Sequence, residues 1–297
     1  MKNIHDADSI GKALRGRKTG SGWLCRCPAH DDRTPSLSVT DKDGRVLVHC
    51  LTGCRQDAVI DALRAKGLWS GAASRFAVDP AERAAERARD KQARECKIAS
   101  AVAIWRESVP IFGTLAERYL KGRGINTVPA PDSLRYHHGL WHPSGRTLPA
   151  MVALIRDVDG KPLGISRTFL DEKTGGKTGL EPKRMFLGAI SGGAVRLREW
   201  HPGEALLIGE GLETVLSVIQ ATGLPGWAAL STSGVRGIQL PSTVRNVTIL
   251  IDADPPGEVA AAVLAARLVR EDRCVKLARP PCGCNDFNDV ILRRAAA

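Results

Sequence analysis

From residue 204 onward the chain alternates short apolar runs with longer amphipathic ones. ALLIG, WAALS, VTILI and CVKLA read as buried strands, with LETVLSVIQATG and EVAAAVLAARLVRE as helices between them. Strands alternating with helices predict a mainly parallel sheet flanked by helices. Upstream, TLPAMVALIRDVDGKPLGISRTFL predicts strands around the turn DVDGK. Residues 78–122 are helical in pattern, with a break at Pro110. The first half of that stretch alternates acids and bases and is poor in apolar residues, which predicts a solvated helical linker. Residues 1–70 hold short strand-like pieces and then a helix, QDAVIDALRAKGLW. The chain thus divides into 1–70, 71–122, 123–203 and 204–297, an α/β protein (α+β overall) without internal repeats. Residues 123–297 are expected to fold alone.

Composition narrows the class. The chain has 297 residues, 43% of them apolar and only 4% aromatic, so its core is built from Val, Leu, Ile and Ala. No apolar run approaches the ~18 residues that span a bilayer, and MKNIHDADSI lacks a hydrophobic signal region. A soluble cytoplasmic protein without membrane association is expected. The formal charge of +11 suits a polyanionic partner such as nucleic acid.

Cysteines change the picture of the first region. In WLCRCPAHDDRTPSLSVTDKDGRVLVHCLTGC, Cys27 and His30 sit at C-x2-H spacing, and Cys50 and Cys54 at C-x3-C. Two short knuckles can surround tetrahedral zinc, which supplies folding energy to a module too small for a large core. Cys25 and His49 stand as alternative ligands, and reduced thiols without metal are the competing reading. PPCGCND, with Cys282 and Cys284, and nearby Cys274 read as ordinary thiols.

The acids recur where strands end. Glu210 follows ALLIG, Asp252 and Asp254 follow VTILI, and Asp286 and Asp289 lie in NDFND after CVKLARPP. Ligands of parallel sheets bind beyond the carboxyl ends of the strands. Carboxylates gathered there repel one another, and Mg²⁺ between them relieves the repulsion. Helix capping is the plainer role for Asp254 and Glu210; it does not explain the whole recurrence.

GEGLETVLS, IDADPPGEVAAAVLAARL and NDFND together resemble a Toprim domain, the metal-binding fold of topoisomerases and primases. CPAH…HCLTGC followed by a helix resembles the zinc-binding domain of bacterial DnaG-type primases. The details, with GTLAERYLKGRGI, SLRYHHGLWHPSGRTLPAMV and KRMFLG, are similar to primase-like proteins of phages, plasmids and other mobile elements. The resemblance covers nearly the whole chain. It implies a zinc ribbon over 1–70, a helical linker over 71–122, a basic part of a primase core over 123–203 and a Toprim domain over 204–297. By position it implies a catalytic Glu210, a metal-binding pair Asp252 and Asp254, and a late acidic motif at Asp286 and Asp289. Glu213 stands where many relatives carry Asp, and Asn285 replaces a common lysine. Arg146, Arg167, Lys183 and Arg184 fall in stretches that meet nucleotides and template.

The function implied is a DNA primase that makes short RNA on single-stranded DNA from NTPs, with structural Zn²⁺ and catalytic Mg²⁺ or Mn²⁺. A separate replicative helicase is the implied partner, because TGGKTG lacks the glycine at position 171 (Asp171 stands there) and no helix pattern follows Thr178, leaving an exposed turn within reach of phosphate. A Toprim nuclease using the same acids, and a non-catalytic zinc/Toprim DNA-binding protein of replication or recombination, are the alternatives. A topoisomerase needs a tyrosine nucleophile; Tyr119 and Tyr136 lie outside any recognisable cleavage domain. His137, His138 and His142 read as a polar surface loop without the acids or cysteines to complete a metal shell.

Overall fold

The computed structural model describes residues 6–20, 22–32, 34–42, 45–69, 80–126, 133–281 and 283–296. They fall into two compact units, residues 1–80 and 81–297. Among the described residues no helix is long and apolar enough to cross a membrane.

In the first unit, α1 (Ala7–Ala13) begins at Asp6, whose carboxylate accepts the Ser9 N–H at 2.7 Å. An antiparallel meander follows: β1 (Arg17–Thr19), β2 (Gly22–Cys25), β3 (Leu37–Lys42) and β4 (Arg45–Cys50). It is closed by α2 (Gln56–Ala65). Strand alternation turns Leu37, Val39 and Val48 inward, where they meet Ile10 of α1 and Val59 and Leu63 of α2. β2 and β4 run in the same direction on either side of β3, and Cys25 and Cys50 both pair with Leu37. The two strand ends therefore open at one edge of the meander.

The second unit starts with the long helix α3 (Pro80–Glu107). It continues through β5 (Val109–Pro110), α4 (Leu115–Gly122), β6 (Leu134–Trp141), β7 (Thr147–Arg156), β8 (Pro162–Phe169) and β9 (Arg184–Gly188). These strands form one antiparallel sheet in the order β5-β6-β7-β8-β9. The hairpin at DVDGK forms as predicted: the Asp157 carboxylate accepts the N–H of Asp159 at 3.0 Å and of Lys161 at 2.8 Å. Gly160 turns at φ 84°, a conformation that favours glycine.

A second sheet follows from β10 (Val195–Arg196), β11 (Leu206–Gly209), α5 (Leu212–Thr222), β12 (Gly226–Ala228), α6 (Thr232–Gly237), β13 (Asn246–Leu250), α7 (Pro255–Arg270), β14 (Cys274–Ala278) and α8 (Phe287–Ala296). Its order is β10-β12-β11-β13-β14, parallel except for β10. The expected mainly parallel sheet is present. The chain leaves β11 for β12 on one side, then crosses to β13 on the other. The crevice at that reversal lies beyond the carboxyl ends of β11 and β13. One core joins both sheets: Met151 and Ala153 of β7 are buried with Val215 and Leu216 of α5.

The solvated-linker expectation describes only part of 71–122. Residues 88–97 are exposed along α3. Further on, Ala101 and Trp105 are buried against Val152, Ile165 and Phe169, and Ile111, Ala116, Tyr119 and Leu120 enter the shared core. Val109 pairs with Tyr136. The charge pattern of the first half of α3 carried the reading, while the second half is fixed by partners distant in sequence. The compact unit begins at residue 81, so residues 123–297 are only part of it. Each large buried side chain removed costs ~2–5 kcal/mol. A fragment of 123–297 is expected to be insoluble or to melt without cooperativity, whereas 81–297 melts cooperatively; equal melting of the two by circular dichroism would refute this boundary.

Candidate active site and zinc cluster

The edge where β2 and β4 end carries a candidate metal-ligand set. Cys27 and His30 lie in the turn after β2, Cys50 ends β4, and Cys54 precedes α2; their ligand atoms all lie within 4.8 Å of one another. His30 Nδ1 is 3.2 Å from Cys54 Sγ and 4.0 Å from Cys50 Sγ. Three sulfurs and one imidazole nitrogen at this separation match the donor set and size of a tetrahedral zinc site. Asp32 supports the first knuckle, accepting the Cys27 N–H at 2.6 Å and the Ser36 hydroxyl at 2.6 Å. Burial pushes the Cys27 thiol up to about 12. Burial also acts to raise Cys50, but the Thr52 hydroxyl, the backbone N–H groups of Cys54 and Thr52 and the Ser36 hydroxyl outweigh it and bring it to about 5. The alternative ligands lie elsewhere: Cys25 packs on Gly16, and His49 is an exposed strand residue. Cys274 and Cys96 are exposed and Cys284 is buried, none within this cluster; Cys282 lies outside the described residues.

The crevice of the parallel sheet gathers the acids. Glu210 directly follows β11, and Asp252 comes two residues after β13. Asp254 caps α7, accepting the Gly257 N–H at 2.7 Å. A Cβ on Gly257 would lie 2.6 Å from the Asp252 carbonyl and 2.9 Å from Asp254 Oδ1, so only glycine admits this close approach. Capping accounts for one oxygen of Asp254. It does not account for Glu210: the N-cap of α5 is Gly211, with no side-chain hydrogen bond. Asp286 and Asp289 cap α8 between them, with Asp289 N–H bonded to Asp286 Oδ1 at 2.9 Å and Asn285 N–H to Asp289 Oδ2 at 3.0 Å. The charge of Asp286 still reaches Asp252.

Burial, and then the charges of Glu210, Asp286, Asp254 and Glu213, push Asp252 up to about 7. Burial also raises Glu210, with Asp254 adding and Arg184 opposing. Asp252 Oδ1 is buried without a hydrogen-bond partner. A buried carboxylate oxygen without a donor, amid other carboxylates, is the environment a hard divalent cation with oxygen ligands satisfies. Among the described residues these acids do not draw together as tightly as the cysteine cluster, the one group whose ligand atoms lie within 4.8 Å.

The basic residues separate. Arg184, at the start of β9, acts on Glu210 and stacks over Phe186 at 5.4 Å. Arg146 is exposed in the β6–β7 turn. Lys183 is exposed and pairs with Glu181 at 3.5 Å. Arg167 pairs in register with Met185, on the sheet face opposite Arg184, and is only 8% exposed. Burial pushes its pKa down. Lys177 of the TGGKTG turn also differs from the reading of a free loop cation. Its Nζ lies 2.9 Å from Glu213 Oε1, which also accepts the Tyr119 hydroxyl. Burial acts to raise Glu213, and Lys177 and Tyr119 overcome it and hold the carboxyl below its ordinary range. Sequence reasoning missed this trio; its one signal was a glutamate and a lysine in two places that each looked anomalous. The histidines are not a polar surface loop: His137 and His138 lie on β6 and stack at 4.9 Å, His137 is buried, and His142 is buried between Ser144 and the Pro182 carbonyl.

Residues 205–297 match the family model of the Toprim domain. The C-terminal region is a Toprim domain. Residues 95–197 match a domain of unknown function, DUF7146. No curated protein matches the chain. Among solved structures the chain is similar to the Aquifex aeolicus primase (zinc binding and RNA polymerase domains), at 18% identity and TM-score 0.43, over 96% of this chain and 79% of that one. It is similar to a DnaG primase catalytic domain bound to ssDNA, at 16% identity and TM-score 0.46, over 67% and 75%. It is also similar to the primase fragment of the bacteriophage T7 primase-helicase protein, at 14% identity and TM-score 0.39, over 64% and 70%.

Two outcomes follow from the Toprim acids and the cysteine cluster. Asp252 holds its proton more tightly folded than unfolded, so metal-free stability falls as pH rises from 3.8 towards about 7. Each pH unit between the two pKa values is worth ~1.4 kcal/mol, reduced by partial solvent screening. Asp252→Asn is therefore expected to stabilise the metal-free protein by on the order of 1–2 kcal/mol at pH 8 and by little near pH 3.5; urea titrations in EDTA at the two pH values check this. Cys50→Ser is expected to drop bound zinc from about one ion per chain to near none and to unfold the first unit, read by metal analysis and circular dichroism.

Proposed function

We propose that the protein is a DNA primase, joining ribonucleotides on a single-stranded DNA template. The observation that carries this reading is the Asp252 carboxylate, buried with an unpartnered oxygen in the Toprim crevice between Glu210, Asp254 and Asp286. In this reading Glu210, Asp252 and Asp254 hold Mg²⁺ or Mn²⁺. The ion held there would supply charge neutralisation for the attack of a nucleotide 3′-hydroxyl on the α-phosphate of an NTP, in which the hydroxyl proton passes to solvent and pyrophosphate leaves. Asp254 keeps one oxygen on the N-terminus of α7, which fixes its orientation. Arg184, which acts on Glu210 from β9, would balance triphosphate charge. Cys27, His30, Cys50 and Cys54 would hold structural Zn²⁺, and the unit they stabilise would contact template.

The test is incubation of the protein with labelled NTPs, Mg²⁺ or Mn²⁺ and single-stranded DNA of varied sequence. RNA growth is expected. Shortening of the DNA would return a Toprim nuclease, and binding without either product would return a non-catalytic DNA-binding protein. Glu210→Gln is expected to lower synthesis by at least ~100-fold while retaining oligonucleotide affinity; parallel loss of both would make the residue structural.

A further inference from the structure

Trp141 is 60% exposed, the one tryptophan among the large hydrophobic side chains left open to solvent in the described residues. Trp105 and Trp227 are buried, and Trp23, Trp69 and Trp200 are partly buried. Its position in the sheet gives this exposure a direction. Tyr136, Met151, Thr168 and Arg184 pair in register across β6, β7, β8 and β9 and share one face. That face packs on the Toprim helix α5, since Met151 is buried with Val215 and Leu216. Trp141 pairs with Thr147, four residues from Met151 along β7, and so stands on the same face. Strand geometry puts Trp141 roughly 13 Å along the strands and roughly 14 Å across them from Arg184, a few nucleotides of extended strand.

Two neighbours complete the surface. Arg146, in the turn that joins β6 to β7, is exposed. Thr147, the cross-strand partner of Trp141, lines a cleft of about 400 Å³ with Arg146, Pro149, Glu172, Lys173 and Thr178. Because Asp171 and Glu172 also border the cleft, it suits a neutral base better than a phosphate; phosphate contact falls to Arg146. An exposed indole beside an exposed guanidinium, on the face that leads to the acids, is the pairing that holds single strands: a base stacks on the ring and the cation takes the backbone.

We infer that Trp141 and Arg146 form a stacking station for single-stranded nucleic acid, upstream of the Toprim crevice on the same sheet face. The inference deepens the primase reading and rests on it for the direction of the strand. A docking site for another protein would use the same aromatic ring, and the test separates the two.

Titrating the full-length protein with a short oligothymidylate should quench tryptophan fluorescence, and Trp141→Phe should remove most of the quench while keeping most of the affinity. Trp141→Ala should weaken binding about tenfold. Arg146→Ala should weaken binding and lower the slope of log affinity against log salt by about 0.7. Both side chains are exposed, so unchanged thermal melts are expected. Parent-like affinity of Trp141→Ala, or an equal quench in Trp141→Phe, overturns the station. If the parent makes no RNA while the Trp141-dependent quench persists, the primase reading falls and the station stands; if RNA is made and the quench is independent of Trp141, the station alone falls.

Discussion

Mutual repulsion among carboxylates at the carboxyl edge of the parallel sheet is the constraint on which the rest of the second unit turns. Asp252 feels Glu210, Asp286, Asp254 and Glu213 at once, from a position where burial already disfavours charge. The fold offsets part of this locally. α5, α7 and α8 all begin at this edge, because each follows a strand of the sheet, and helix N-termini favour negative charge. Asp254 and Asp286 each spend an oxygen on a helix N-terminus. Asp252 and Glu210 make no such cap. The residual repulsion is thus concentrated on the two acids nearest the strand ends, and there a divalent cation gains most.

The opposing charge comes from the neighbouring sheet. Arg184 at the start of β9 offsets Glu210, and Lys177, from the segment between β8 and β9, is paired with buried Glu213 on α5. Tyr119 of α4 closes the same pair, so α4, the β8–β9 segment and α5 are tied at one buried point. Breaking such a pair leaves an uncompensated buried charge, which is far costlier than losing an exposed ion pair. That explains why the antiparallel sheet and the Toprim sheet share one core and fold as one unit. Arg184 and Lys177, the cations that act on Glu210 and Glu213, both come from the antiparallel sheet and its β8–β9 segment.

Local pattern made much of this legible. Strand and helix alternation after residue 204, the DVDGK hairpin and the spacing of Cys27, His30, Cys50 and Cys54 are short-range signals, and the structure forms each element or cluster there. The recurrence of acids after ALLIG and VTILI was likewise visible, because the end of an apolar run marks the end of a buried strand. What stayed hidden depends on partners far apart in the chain. The second half of α3 and α4 looked like linker because the burial of Trp105 and Tyr119 is decided by strands and helices that come later. The strand parity that turns Arg167 away from Arg184 is set by register, which composition does not reveal. The late acids showed their charge but not their caps.

The unpartnered oxygen of Asp252 is informative because of what surrounds the other unpartnered atoms. Five of them are the Nε of Arg123, Arg135, Arg167, Arg196 and Arg267. A guanidinium carries four further N–H groups, and Arg135, Arg167, Arg196 and Arg267 use their terminal nitrogens on carbonyl oxygens. Asn288 bonds through its amide nitrogen, and the Trp227 ring carries Arg196 at 4.4 Å. In these six side chains there is a favourable contact elsewhere; the Ser166 hydroxyl is also buried without a partner, but it carries no charge to neutralise. Asp252 has no such compensation from the protein: the groups that act on it electrostatically are other acids. A carboxyl in that position either takes up a proton, which its raised pKa reflects, or meets a cation. A crevice in this form is poorly suited to stability and well suited to a divalent cation.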